Sequence, residues 1–176
     1  GTIGYFHHQG CCQLPLDLKR VTDTLSNLGQ SPNVGAALIV SLGCEGTDHE
    51  RLVEEIRATG KPVEIMRIQE FGGTSRAIQA GIDAAQHLVQ QISGLQRETV
   101  DISNVVMAIK CGASDTTSGM ASNCVIGYVA DKLVDLGATV VFGETTEFLG
   151  GEHILARRAV GGENGPVRQK IYEIVN

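Results

Sequence analysis

The stretch Val63-Glu64-Ile65-Met66-Arg67-Ile68-Gln69-Glu70-Phe71-Gly72-Gly73-Thr74-Ser75-Arg76-Ala77-Ile78 decides the fold. Its apolar run at 63–68 ends in a polar segment with two adjacent glycines. A stripe of helical period follows at once, through Ile78, Ile82, Ala85, Val89 and Ile92, and Gly94 stops it. A short apolar run feeding an amphipathic helix reads as one strand–helix unit of a parallel sheet.

The same unit recurs on both sides. Apolar runs lie at 2–6, 34–42, 104–109 and 139–142, with little alternation, as expected of strands covered on both faces. Helical patterns separate them. Residues 14–28 read as a helix with Pro15 in its first turn. Thr47 and Glu50 have capping-box spacing ahead of Leu52, Val53 and Ile56, and Gly60 and Pro62 end that helix. Val125, Val129, Leu133 and Leu136 line another, stopped by Gly137. A helix at 152–160, a turn at 161–165 and a last helix from Pro166 to Val175 complete the pattern.

Five strand-then-helix units predict an α/β fold. The expected architecture is a three-layer, mostly parallel five-stranded sheet, Rossmann-like or flavodoxin-like, with helices on both faces. Residues 1–176 read as a single α/β domain, with one long polar connector at 96–103. The chain opens at Gly1 almost directly in an apolar run and closes at Asn176 in a helix, so it reads as an excised fragment of a longer protein.

Composition narrows the class. Hydrophobic types make up 42% of the 176 residues, enough for a core without staples. The net charge of −6 argues against a nucleic-acid surface, and 4% aromatics without Trp against a base-stacking platform. The longest uncharged stretch, 24–44, is interrupted by polar residues, and its apolar part, 34–42, is too short to span a bilayer. No signal peptide is visible. The five cysteines have no CxxC spacing and no disulfide framework, which fits a reducing, cytoplasmic setting.

In open parallel sheets, ligands bind beyond the carboxyl ends of the strands. The segments there are His7-His8-Gln9-Gly10-Cys11-Cys12, Gly43-Cys44-Glu45-Gly46-Thr47-Asp48, Gln69-Glu70-Phe71-Gly72-Gly73-Thr74-Ser75, Cys111-Gly112-Ala113-Ser114-Asp115, and Gly143-Glu144-Thr145-Thr146-Glu147 with Glu152-His153. Cysteine recurs in three of the five. Such turns are polar and glycine-rich in any case, to cap helices, but that does not explain the cysteines.

Thiolate and imidazole suit iron or zinc, and carboxylate suits harder ions. Cys11 with His7, Cys44 with Glu45, and Cys111 with Asp115 therefore form a candidate metal set; the alternative is that these cysteines are small buried hydrophobes. Gly72, Gly73 and Thr74 open a strong helix whose amides form an anion nest, or else a plain glycine turn. Ser114, Ser118 and Asn123 offer donors at another helix start, or ordinary caps. Glu144 and Glu147 follow the last strand as candidate base or metal ligand, and His153 as an acid or a satisfied structural histidine. His49 and His87 read as surface residues on helix bodies. GxxxxGK[ST], GxGxxG after the first strand, and GxSxG are all absent.

The segments His7-x-x-Gly10-Cys11, Gly43-Cys44-Glu45, Gln69-Glu70-x-Gly72-Gly73-Thr74, Cys111-Gly112-x-Ser114-Asp115 with Ser118-Gly119 and Asn123, and Glu144-Thr145-x-Glu147-x-x-Gly150-x-Glu152-His153 occur in that order. Together they resemble the altronate and galactarate dehydratase family, which includes the large subunit of (2R)-sulfolactate sulfo-lyase. Three segments depart from its pattern. Cys12 stands where Gly is usual, Ala113 replaces a Gly, and Ser122-Asn123-Cys124 replaces Ala-Asn-Pro. Thr146 and Phe148 are closer to the sulfo-lyase branch.

The resemblance implies a hydro-lyase acting on a small anionic hydroxy acid with Fe(II) or another divalent ion such as Mn or Mg; an iron–sulfur cluster is the lesser alternative. It also implies further domains or a small subunit of the parent enzyme, and homo-oligomerisation is compatible with it. No nucleic acid and no membrane enter. On this reading a base removes the proton α to a carboxylate and the β substituent leaves as water or sulfite. Metal ligands are drawn from His7, Cys11, Cys44, Cys111 and Glu144. Gly72, Gly73 and Thr74 cradle an anionic end, while Ser114, Ser118, Asn123 and Asp115 orient hydroxyls. Glu144, Glu147 or His153 supplies base and acid. The competing readings are a non-catalytic anion-binding or assembly domain and a nucleotide-binding α/β domain.

Overall fold

The computed structural model describes residues 1–7, 9–162 and 165–175. His8 of the first polar segment, Glu163 and Asn164 of the expected 161–165 turn, and Asn176 lie outside the described residues. The chain divides into two compact units, Gly1–Arg97 and Glu98–Asn176, and the division falls inside the 96–103 connector. Each is described by itself.

The first unit runs α1 (Pro15–Gln30), β1 (Ala37–Ser41), α2 (His49–Arg57), β2 (Val63–Arg67) and α3 (Thr74–Ile92). The two strands are parallel, with Ala37 opposite Val63 and Ser41 opposite Arg67, and α2 is their crossover. α2 and α3 both pack on the strand pair, and α1 packs on α2. Leu52, Ile56, Val63, Met66, Ala77 and Leu88 form the buried apolar centre. Gly29 lets α1 approach α2: a Cβ there would lie 2.3 Å from Ile56 Cδ1. Arg51 ties the same helices together, reaching Asp23 and Glu55 at 2.7 Å each. The Lys61 ammonium donates to the carbonyls of Gly29, Gln30 and Ser31 at 3.2, 2.6 and 2.6 Å, closing the carboxyl end of α1.

The second unit runs β3 (Val106–Ile109), α4 (Asn123–Asp135), β4 (Thr139–Phe142), α5 (Glu152–Arg158) and α6 (Pro166–Val175). β3 and β4 are parallel, with Val106 opposite Thr139 and Ile109 opposite Phe142. A π-helical turn at Ser118–Ser122 leads into α4, which packs on β4, and α5 packs on α6. The buried apolar set is small, Ala138, Ala156 and Val175, while Val125, Tyr128, Val141 and Phe142 are exposed.

The α/β character and the parallel pairing follow the sequence reading, but the single five-stranded sheet does not. Among the described residues there are four strands, in two parallel pairs. Residues 2–6 make no strand. A strand needs a ladder partner for its amides and carbonyls, this stretch pairs with none, and Ile3 and Phe6 stay 89% and 88% exposed. The helix cap expected at Thr47 is instead Asp48, whose carboxylate accepts the Arg51 amide at 3.0 Å, whereas the buried Thr47 hydroxyl has no partner among the described residues. No helix among the described residues is long and apolar enough to cross a membrane.

Candidate functional site

In each unit the segments after its two parallel strands meet at one edge, as the strand-end rule requires. In the first unit the Gly46 amide donates to the Gly10 carbonyl at 3.1 Å, so the 10–12 segment lies against the 42–46 segment. Gln69 joins the third: its backbone amide donates to the Leu42 carbonyl at 3.2 Å and its side-chain amide to Cys44 Sγ at 3.3 Å. Gly43, at φ 117°, leaves room for that side chain, because a Cβ would stand 3.0 Å from Gln69 Oε1.

The Glu45 carboxylate occupies the amide nest beyond β1. Leu42 and Gly43 donate to its two oxygens at 2.9 and 2.8 Å, and His49 Nε2 donates to Oε1 at 3.0 Å. Burial raises the Glu45 pKa. The amides of Glu45 and Gly43 outweigh it, and the group is lowered to about 2. His49 is therefore not a surface residue; its side chain is 11% exposed and serves this carboxylate. The nest after the first strand of a nucleotide-binding fold receives phosphate. Here the protein's own anion fills it, which weighs against the nucleotide reading.

The nest at Gly72–Thr74 is open. Gly72 has φ 66° and Gly73 φ 155°; no side chain caps α3, no acidic residue stands in its first turn, and a Cβ on Gly73 would meet nothing within 4 Å. The start of a 19-residue helix is thus left without a side-chain cap, with Arg76 close to Gly72.

In the second unit, Cys111, Glu144 and Glu147 bring one ligand atom each within 4.8 Å of one another, the one such group of three among the described residues. Cys111 directly follows Lys110 at the end of β3. Glu144 stands two residues past β4 at φ 61°, a left-handed conformation that costs a non-glycine residue about 1–2 kcal/mol. The Lys110 ammonium pairs with Glu144 Oε1, and the Cys111 amide donates to Oε2 at 3.3 Å. The bond to Lys110 holds the Glu144 carboxyl below its usual range and raises Lys110 in return, so the two stay ionised together. The Glu147 amide donates to the Glu144 carbonyl at 2.9 Å. Phe148 packs its ring 5.1 Å from that of Phe142 at the end of β4, closing the loop that carries both glutamates.

The remaining predicted residues fall as follows. Asp115 spends its carboxylate locally, accepting from the Thr117 hydroxyl at 2.6 Å and the Ser118 amide at 2.9 Å. Ser118 donates to the Ala113 carbonyl at 3.1 Å, so both act as caps. Ser114 Oγ is 3.9 Å from Cys111 Sγ. Asn123 begins α4, and His153 stands exposed at the start of α5. His7, Cys11 and Cys44 lie exposed in the first unit and join no group of three there. All five cysteines are exposed and free, so none is a buried hydrophobe. Lys110 is not among the residues predicted from sequence; its signal is position, directly after the carboxyl end of β3.

A divalent ion fits the donor chemistry of the second unit. One thiol and two carboxylates leave coordination positions open, the mixed soft and hard set that first-row ions accept.

Residues 1–93 match the family described as D-galactarate dehydratase/altronate hydrolase, second domain, and residues 102–176 match D-galactarate/altronate dehydratase, C-terminal. The chain is 41% identical to (2R)-sulfolactate sulfo-lyase subunit beta of Chromohalobacter salexigens over 97% of its length, covering 42% of that protein. It is 31% identical to altronate dehydratase of Bacillus subtilis over 97% of its length, covering 33%. It is 34% identical to galactarate dehydratase (L-threo-forming) of Escherichia coli over 81% of its length, covering 28%. The chain thus spans less than half the length of each of these relatives.

Proposed function

The chain belongs to the D-galactarate dehydratase/altronate hydrolase family, and from that premise we propose that it carries the chemistry of a lyase eliminating water or sulfite from a small anionic hydroxy acid such as altronate, galactarate or (2R)-sulfolactate. The observation that carries this reading is the apposition of Cys111, Glu144 and Glu147 beside Lys110 at the ends of two parallel strands.

A proton α to a carboxylate is too weakly acidic for an unaided side chain, so the charge that develops must be held by fixed donors or cations. Fe(II), or another divalent ion, held by Cys111 and Glu144 would supply Lewis acidity toward the substrate carboxylate, with Glu147 beside it left uncoordinated. Within the first unit by itself, the Gly72–Thr74 turn at the start of α3, with Arg76 beside it, is a candidate for an anionic group, carboxylate or sulfonate. Glu147, whose carboxylate is free of the Lys110 bond that occupies Glu144, is the base in this reading, and His153 is the candidate acid for a departing hydroxyl. His7, Cys11 and Cys44 remain candidate ligands on the first unit's edge, where Gln69 holds the Cys44 thiol. The five free thiols favour a reducing, cytoplasmic compartment. The partners proposed are the remaining domains or small subunit of a parent enzyme.

The test is anaerobic turnover of altronate, galactarate and (2R)-sulfolactate by the whole parent protein, with and without Fe(II). Formation of a 2-oxo acid from one of them, lost in Glu147→Gln, is expected. No product from any of the three overturns the reading.

A further inference from the structure

We propose that Lys110 is a catalytic residue of this reaction, its ammonium binding the carboxylate of the hydroxy acid and holding the negative charge that collects there as the α proton leaves. The inference rests on the lyase reading and gives a role to a residue to which that reading assigns none.

Two lysines of the chain show what is distinctive here. Lys61 spends its three N–H bonds on three carbonyls at the end of α1. Lys110 makes one bond to Glu144 and a long one, 3.4 Å, to the Cys111 carbonyl. An ammonium has three donors, so one remains for a ligand, and the Lys110 side chain is 69% exposed and reachable from solvent. Its short tether matters as well. Lys110 directly follows β3, and Glu144, fixed two residues past β4, anchors the ammonium on the same edge as Cys111 and Glu147.

A lysine ammonium is charged at neutral pH, and ion-paired to Glu144 it is placed to hold charge rather than to remove a proton. In the step, the base takes the proton from the α carbon and the C–H electron pair moves onto the carboxylate, giving the enolate; the return of that pair then forms the α–β double bond. The β C–O or C–S bond breaks with its own pair, releasing hydroxide, which takes a proton, or sulfite, which needs none. The enol then tautomerises to the 2-oxo acid. Between substrate and enolate the carboxylate gains charge, so a cation beside it stabilises the transition state more than the ground state.

Oxalate, a planar dianion shaped like that enolate, is the probe. Calorimetry on the full chain, dialysed against a chelator, is expected to show oxalate binding that weakens about tenfold or more in Lys110→Met and is largely kept in Lys110→Arg. Lys19→Met, a charge control on α1 of the first unit, should bind as wild type. Far-UV spectra and melting curves run alongside confirm that the variants fold. Equal oxalate affinity in wild type and Lys110→Met, or no binding by wild type, overturns the proposal. In the turnover assay, loss of kcat with little change of KM in Lys110→Met supports it, and an unchanged kcat overturns it. Failure of wild type on all three acids overturns the lyase reading instead, and loss of oxalate binding in Lys110→Met then still supports Lys110 as the anion-holding group.

Discussion

His49 Nε2 donates to Glu45 Oε1 at 3.0 Å, with both side chains about nine-tenths withdrawn from water. Together with the Leu42 and Gly43 amides, this bond fixes the turn that presents Cys44. The folded Glu45 titrates near 2, below its unfolded value near 4.5. Its contribution is therefore full above the unfolded value and is lost as pH falls from about 5 towards 2. The linkage amounts to about 3 kcal/mol. Urea unfolding of wild type should weaken across that window. Glu45→Gln should be less stable by about 2–3 kcal/mol at pH 7 and should show a flatter acid limb. Parallel acid limbs for the two proteins would refute this assignment.

Cys12 has φ 59°, a backbone conformation that favours glycine. The left-handed conformation costs a side chain about 1–2 kcal/mol, partly offset by the greater unfolded freedom of glycine. Cys12→Gly should therefore be more stable by roughly 0.5–1 kcal/mol, read as a higher urea midpoint at unchanged slope. A lower midpoint would mean that the Cys12 side chain makes a compensating contact.

These two loops show how far the sequence could be read. The 63–78 stretch gives its strand, turn and helix almost to the residue, because a short apolar run, a glycine turn and a period of 3.6 are properties of the local chain. The 2–6 run has the same composition as a strand but no ladder partner, and pairing is not a local property. His49 reads as a surface residue on a helix body, since nothing in the sequence says that Glu45 folds back under it. Cys111 and the two glutamates were legible as residues at strand ends. Lys110 was not, because its role comes from an ion pair to a residue 34 positions away.

The ring pair Phe142–Phe148, at 5.1 Å and 49°, closes the loop carrying Glu144 and Glu147. Such a pair contributes about 0.5–1.5 kcal/mol beyond the area it covers. Phe148→Ala should loosen the loop and weaken cation binding at the Cys111 group, and Phe148→Tyr should restore it. Co(II) titration reports this directly, because a thiolate–Co(II) bond gives a strong near-ultraviolet absorption. Equal Co(II) affinity in the Ala variant would disconnect the rings from the site.

Glu144 is the second side chain held in the left-handed region, at φ 61°, and it is also the residue bonded to Lys110 and the Cys111 amide. Strain of this kind persists where the surroundings enforce it and gathers at functional positions. Two substitutions separate the strain from the carboxylate. Glu144→Gln keeps a side chain at φ 61° and loses the charge, so it should lose both stability and Co(II) binding. Glu144→Gly loses the same charge and the same bonds but releases the strain, so it should melt a few degrees above Glu144→Gln. Both should fail to bind Co(II) as wild type does. The conformational cost at 144 is then a cost of aiming a carboxylate at Cys111, and equal melting temperatures for the two variants would show that no such cost is carried.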